Sequence, residues 1–279
     1  MQTSVAALEQ RSGRRPRIVA VNEMQATKCT AMSRFAFVAM IGCAAMGGTS
    51  MARAADVAVY LEAAPHTPLE FAKSLVHDLD ASDTSYRHRN EHVAWKGIRG
   101  AARTEAHADC SGLINALLEI AYGYDRKTFL EWLGRARPLA ASYHDAISAH
   151  KRFESVTRVA DAVPGDLIAI RYPEDSENSG HIALIAELAR KRPRGRNDAA
   201  NLDAWEVRVI DSSRSGHGKS DSRRRPDGSF GGGVGTGTMV IYTAADGSVA
   251  GYAWSDVPGS RFFAQAERDL VIGRLATRG

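Results

Sequence analysis

Cysteine is scarce in this chain of 279 residues: Cys29, Cys43 and Cys110 are all it has. Long apolar runs are missing as well. No stretch reaches the roughly 18 to 20 residues a spanning helix needs, so no membrane span is expected. Motifs for metals and phosphates are thin. His88 and His92 stand four apart, but in a segment without helical periodicity and outside any H-E-x-x-H pattern, so no metal site and no cofactor are expected. The glycines from Gly231 to Gly237 come without the Lys and the Ser or Thr of a phosphate-cradling loop and read as a flexible turn. There is no internal repeat.

What the chain does carry starts with composition. An apolar content of 44% is ample for a packed core. A formal charge of +4 suits an anionic partner without choosing one. Five basic residues fall within 190–196, namely Arg190, Lys191, Arg192, Arg194 and Arg196, with no aromatic platform among them. That pattern reads as a solvated hairpin tip, and no nucleic-acid partner is expected. Near the start, "FAFVAMIGCAAM" at 35–46 follows Arg34 and the basic run "RSGRRPR", and an A-x-A site follows at Ala52, Arg53 and Ala54. Residues 1–54 therefore read as a secretory leader, residues 55–279 as a single domain, and the location as periplasmic or secreted. Lipid attachment at Cys43 is the alternative, which Met40 fits poorly. With the leader removed at Ala54, Cys110 is the last cysteine left. One unpaired thiol in an exported chain points to intermolecular pairing or to a reactive cysteine.

In the remaining chain, Thr67 and Pro68 open a helix that apolar spacing carries to residue 81. Residues 82–108 show no period and read as a loop. Asp109 caps a helix from Cys110 to Tyr122, with Gly123 as its stop. Helical patches follow at 126–134 and 138–151. The pattern then turns to strands at 166–172, 181–188 and 205–211, and to a last hairpin of 238–243 with 249–254. Helices first and an antiparallel meander after give an α+β domain with N-terminal helices packed on one face of a sheet.

A thiol in the first turn of a helix meets unpaired N–H groups and the positive end of the dipole, which should lower the pKa of Cys110. A thiol nucleophile also needs a base, and the base a group to orient it. If 181–188 and 205–211 pair antiparallel, His181 and Asp211 fall at one end of the sheet. The competing reading of Asp211 is a turn residue bonded to the backbone after it, with His217 as the rival third residue.

"DCSGL" at 109–113, "PGDLIAI" at 164–170, "GHIALIAE" at 180–187 and "VID" at 209–211 resemble, in order, the NlpC/P60 family of papain-like cysteine peptidases. The resemblance spans roughly residues 80–255. It implies a papain-like fold with Cys110 as nucleophile, His181 as general base and then acid, and Asp211 as the orienting residue. Tyr86, Asp109 and Ser111 would contact substrate, and the backbone N–H of Cys110 would help form the oxyanion hole. The implied substrates are peptidoglycan stem peptides, cut at an amide bond through an acyl-enzyme. An amidase or acyltransferase of the same fold would use the same three residues, and a non-catalytic wall-binding module is the alternative from another class. The chain departs from the family in the long interval from Cys110 to His181 and in "DSSRSGHG", "DSRRR" and the glycine run that follow Asp211. No separate wall-binding repeat is present.

Overall fold

A computed structural model of the protein describes residues 67–193 and 201–276. The leader read at residues 1–54 lies outside them, as do Arg194 and Arg196 of the basic loop. The first helix, α1 (Pro68–Asp78), begins as its residues require. Thr67 accepts from the Glu70 N–H, the Glu70 carboxylate reaches back to the cap, and Phe71, Ala72 and Leu75 form the buried stripe. It stops three residues short of the expected end, where Leu79 turns extended.

Residues 82–108 are not a loop throughout. They hold three short strands, β1 (Thr84–Ser85), β2 (His92–Ala94) and β3 (Glu105–His107), paired in the order β1-β3-β2. Strands of two and three residues are too short to show alternation. α2 (Cys110–Tyr122) follows as expected, capped by Asp109, whose Oδ1 accepts from the Gly112 N–H at 2.7 Å, and stopped by Gly123 in the left-handed region. α3 (Arg126–Leu133) and α4 (Ala140–Ser148) match the two later patches with shorter ends.

The remaining strands are β4 (Phe153–Ser155), β5 (Leu167–Arg171), β6 (Gly180–Ile185), β7 (Arg190–Arg192), β8 (Asp203–Ser213), β9 (Gly233–Thr243), β10 (Val249–Ala253), β11 (Phe262–Ala264) and β12 (Asp269–Leu275). They form one sheet in the order β11-β10-β9-β8-β6-β5-β12-β4, with β7 paired to β8. Every pairing in it is antiparallel. The sequence reading missed β4, β11 and β12. It also took Arg190, Lys191 and Arg192 for a solvated tip, whereas they are the strand that pairs Ala204–Glu206 of β8.

Both faces of the central strands are buried, and alternation assigns each side chain to one face. Leu167, Ala169, Ile182, Leu184 and Ile210 join the cluster built by α1, α2 and α4, while Ile168, Ile170, Ala183, Ile185, Val207 and Val209 join a second cluster with Met239, Ile241, Tyr252 and Ile272. The fold is α+β, helices against a large antiparallel sheet. Among the described residues no helix is long and apolar enough to cross a membrane.

The glycine run is not a turn. Gly233–Gly237 open β9, the partner of Asp211, Ser212 and Ser213 across the ladder. At Gly237 a Cβ would lie 2.3 Å from an Asp221 carboxylate oxygen and 2.7 Å from His217 Cβ, so a bare backbone is what lets the segment after β8 fold down on the sheet.

Candidate functional site

The ladder between β6 and β8 joins Leu184 to Ile210 and Ile185 to Val209. Beyond Ile210, β8 keeps its pairing to β9 and its end docks on the residue before the helix cap, with the Ser212 hydroxyl donating to the Ala108 carbonyl at 2.6 Å. The start of α2 therefore meets the ends of both strands. The backbone N–H groups that lie near the Cys110 thiol and favour its thiolate are those of Ser111 and, on β6, of Ile182. His181 stands immediately before that N–H, and Gly180 before it has a φ of 150° and no room for a side chain, since a Cβ would fall 1.9 Å from the Ile170 carbonyl oxygen.

His181 and Asp211 are brought together. His181 Nε2 lies 2.8 Å from Asp211 Oδ2, although this approach is not aligned as a hydrogen bond. Asp211 is a strand residue with no exposed surface, which removes the turn reading. His217, the rival third residue, sits on the far side of Asp211. Its Nε2 is 2.8 Å from the same Oδ2 and its Nδ1 is 2.7 Å from the Trp254 carbonyl oxygen. Both ring nitrogens face acceptor oxygens. His217 thus holds Asp211, and Asp211 meets His181.

The sequence reading missed what anchors this row. Arg223, from the "DSRRR" stretch, donates to Asp211 Oδ1 and to the Ser213 hydroxyl through Nη1, and to Asp221 through Nε and Nη2. Burial alone would raise the Asp211 carboxyl, but Arg223 and His217 outweigh it and hold the group well below the usual carboxylate range. Trp254, also missed, packs its ring 4.7 Å from His181 and 4.4 Å from His217. No spacing rule links residues 211, 217, 223 and 254; the segment after β8 has to fold back before they meet.

The thiol itself departs from expectation. Cys110 is 5% exposed, and burial, with the Asp109 and Asp211 carboxylates nearby, pushes it up to about 12. Desolvation overrides the helix-start effect. Burial likewise lowers the His181 imidazole below its ordinary value, which the contact with Asp211 only partly offsets.

A cleft of about 410 Å³ opens at the thiol, lined by Tyr86, His88, Asp109, Cys110 and Ser111 on one side and by the segment from Arg171 to Gly180 on another. All three residues expected to touch substrate, Tyr86, Asp109 and Ser111, lie on it. Asp109 is already engaged: its carboxylate takes Gly112 N–H, the Ser111 hydroxyl and Arg137, the last at 2.7 Å, and His88 Nδ1 lies 3.1 Å away. Arg137 also grips Glu91. Burial raises the Asp109 carboxyl, and these donors more than reverse the effect.

His88 and His92 do not form a pair, since His88 faces Asp109 while His92 lies 3.5 Å from Glu105. Ligand atoms of His181, Asp211 and His217 do lie within 4.8 Å of one another. A cation there would replace contacts of 2.8 Å that already close the gap, and would sit beside the Arg223 guanidinium. The donor set, with a guanidinium already paired to its carboxylate, does not suit a metal.

The chain is 31% identical over 217 residues to a protein of Acanthamoeba polyphaga mimivirus, the uncharacterized protein R653; the match covers 74% of this chain and 95% of the viral one. No family model matches the chain. No solved structure matches it.

Proposed function

The chain belongs to one family with the mimivirus protein R653, and on the geometry around Cys110 we propose that it is a cysteine hydrolase of the papain-like NlpC/P60 type, acting on an amide bond. The observation that carries this reading is the convergence of three residues at one end of the sheet: Cys110 at a helix start on an open cleft, His181 on the strand whose Ile182 N–H lies near that thiol, and the buried Asp211 carboxylate 2.8 Å from His181 Nε2. A core thiol has no need of that arrangement.

As Sγ of Cys110 attacks the carbonyl carbon, its proton passes to the ring nitrogen of His181 that does not face Asp211. Asp211, fixed by His217 and Arg223, stabilises the imidazolium so formed. The carbonyl oxygen gains charge where first-turn N–H groups of α2 point, and Asp109 takes only that of Gly112. His181 then protonates the leaving amine, the C–N bond breaks, and a thioester remains. Water, losing a proton to His181, releases the acid and restores the thiol.

The proposed substrate is a peptidoglycan stem peptide and the proposed location periplasmic or secreted, which rest on the resemblance and on the leader pattern of residues 1–54. Incubation of residues 55–279 and of Cys110→Ala with sacculi and defined muropeptides, read by mass spectrometry, tests this. Fragments made only with the thiol present are expected, and their masses separate an endopeptidase from an amidase or acyltransferase. No fragments from a folded protein would remove peptidoglycan as substrate and favour binding without chemistry.

A further inference from the structure

A second pocket, of about 600 Å³, lies on the other side of Tyr86 from the thiol cleft, and Tyr86 lines both. Its character differs from that of the cleft. Arg214, Arg224 and Arg225 line it, and Asp80 is the one acidic side chain among its lining residues. Arg223 also borders it but spends its donors on Asp211, Asp221 and Ser213. Among the described residues, no carboxylate lies within ion-pair distance of the other three arginines.

These arginines are not a loose basic run. Arg224 bridges to Phe230, the Gly231 N–H donates to the Arg223 carbonyl at 2.9 Å, and the Arg225 N–H donates to the Ser229 carbonyl at 2.8 Å. The turn so formed is pinned at its base by the buried Arg223. Arg214 leaves β8 and lies 5.4 Å over the Tyr86 ring, which fixes it at the wall shared with the cleft. Three like charges held around one concavity repel one another and concentrate positive potential there. Guanidinium forks match the oxygens of phosphate, and a multiply charged anion answers three of them better than one carboxylate does.

We infer that this pocket is a binding site for a phosphate group, next to the thiol cleft and separated from it by Tyr86. Its volume is within the range of small-molecule sites, so it has room for more than the phosphate alone. That the phosphate belongs to the molecule whose acyl bond meets Cys110 rests on the hydrolase reading; that the pocket binds phosphate does not.

Calorimetric titration of the protein with inorganic pyrophosphate at low salt tests the inference. Binding is expected in the wild type and in Cys110→Ala alike, and at least tenfold weaker in R224Q/R225Q, whose altered side chains are exposed and unpaired and leave the fold intact. R126Q/K127Q, with equal charge removed from exposed positions of α3, should bind as the wild type does. Absent binding, or an equal loss in both double variants, would overturn the site. Sedimentation with phosphatidylglycerol vesicles separates the sources of phosphate: capture that needs Arg224 and Arg225 makes it a lipid headgroup, and pyrophosphate binding without capture makes it a soluble ester. Cleavage without pyrophosphate binding would end this inference and spare the hydrolase reading, while the reverse result would do the opposite.

Discussion

Two carboxylates flank the row from Cys110 to His181, each gripped by an arginine, and they differ in what surrounds them. Asp211 has no exposed surface and is enclosed by His181, His217 and Arg223. Asp109 borders the open cleft, and its arginine, Arg137, keeps 36% of its side chain exposed. Removing one partner of such a pair costs several kcal/mol when it is sealed, because the other charge is left buried alone, and little when water reaches it. Asp211 therefore serves by being immovable, whereas Asp109 serves as a helix cap and as the charge that sets the potential at the thiol.

The largest effect should come from breaking the sealed carboxylate while keeping its shape. Asp211→Asn leaves Arg223 paired with Asp221, so the fold survives, but the imidazolium of the transition state loses its counter-charge and His181 its orientation. Turnover on whichever muropeptide the wild type cleaves should fall by about 10⁴-fold, in line with loss of the carboxylate elsewhere in triads of this kind. A loss under tenfold, measured by initial rates on a correctly folded sample, would demote Asp211 to a structural residue.

Arg223→Met removes the cation and leaves Asp211 buried without it. A loss of about 3–5 kcal/mol in unfolding free energy is expected, visible as a lower urea midpoint. The variant should also be less resistant to acid. In the wild type the lowered Asp211 carboxyl contributes stability that is present above its unfolded value of about 3.9 and lost as pH falls through its much lower folded value. Without Arg223 the folded carboxyl lies closer to its unfolded value, so this contribution is smaller and is gone at a higher pH. An acid transition unmoved by the substitution would mean that Arg223 does not hold the carboxylate down.

How much of this could be read from the sequence follows the same divide. The cap at Asp109, the helix after it, the strands carrying His181 and Asp211 and their antiparallel pairing were all legible, because each rests on local periodicity or on a residue's own backbone chemistry. The ends of the sheet were not, since β4 and β11 are three residues long. The glycine run misled because glycine marks both turns and close approach, and only the packing of His217 and Asp221 over Gly237 distinguishes them. Arg223 and Arg137 were invisible as partners: each reaches its carboxylate across a chain reversal that no motif records. The thiol's position was legible and its pKa was not, because a helix start lowers it from sequence alone while burial, which raises it more, exists only in the fold.

The smallest expected effects lie at the open carboxylate and separate charge from packing. Asp109 raises the Cys110 thiol, and Arg137 beside it offsets part of that charge. Asp109→Asn should therefore lower the thiol pKa and speed alkylation of Cys110 by iodoacetamide several-fold at pH 8, and weaken the cap by about 1 kcal/mol at most. Arg137→Gln exposes the thiol to an uncompensated Asp109 and should slow the same reaction, with under about 1 kcal/mol lost because the pair is partly solvated. Opposite signs from two partners in one ion pair are hard to produce by loosening the cleft, which would speed alkylation in both variants. A common acceleration would mean that access to Cys110, and not the charge of Asp109, governs its reactivity.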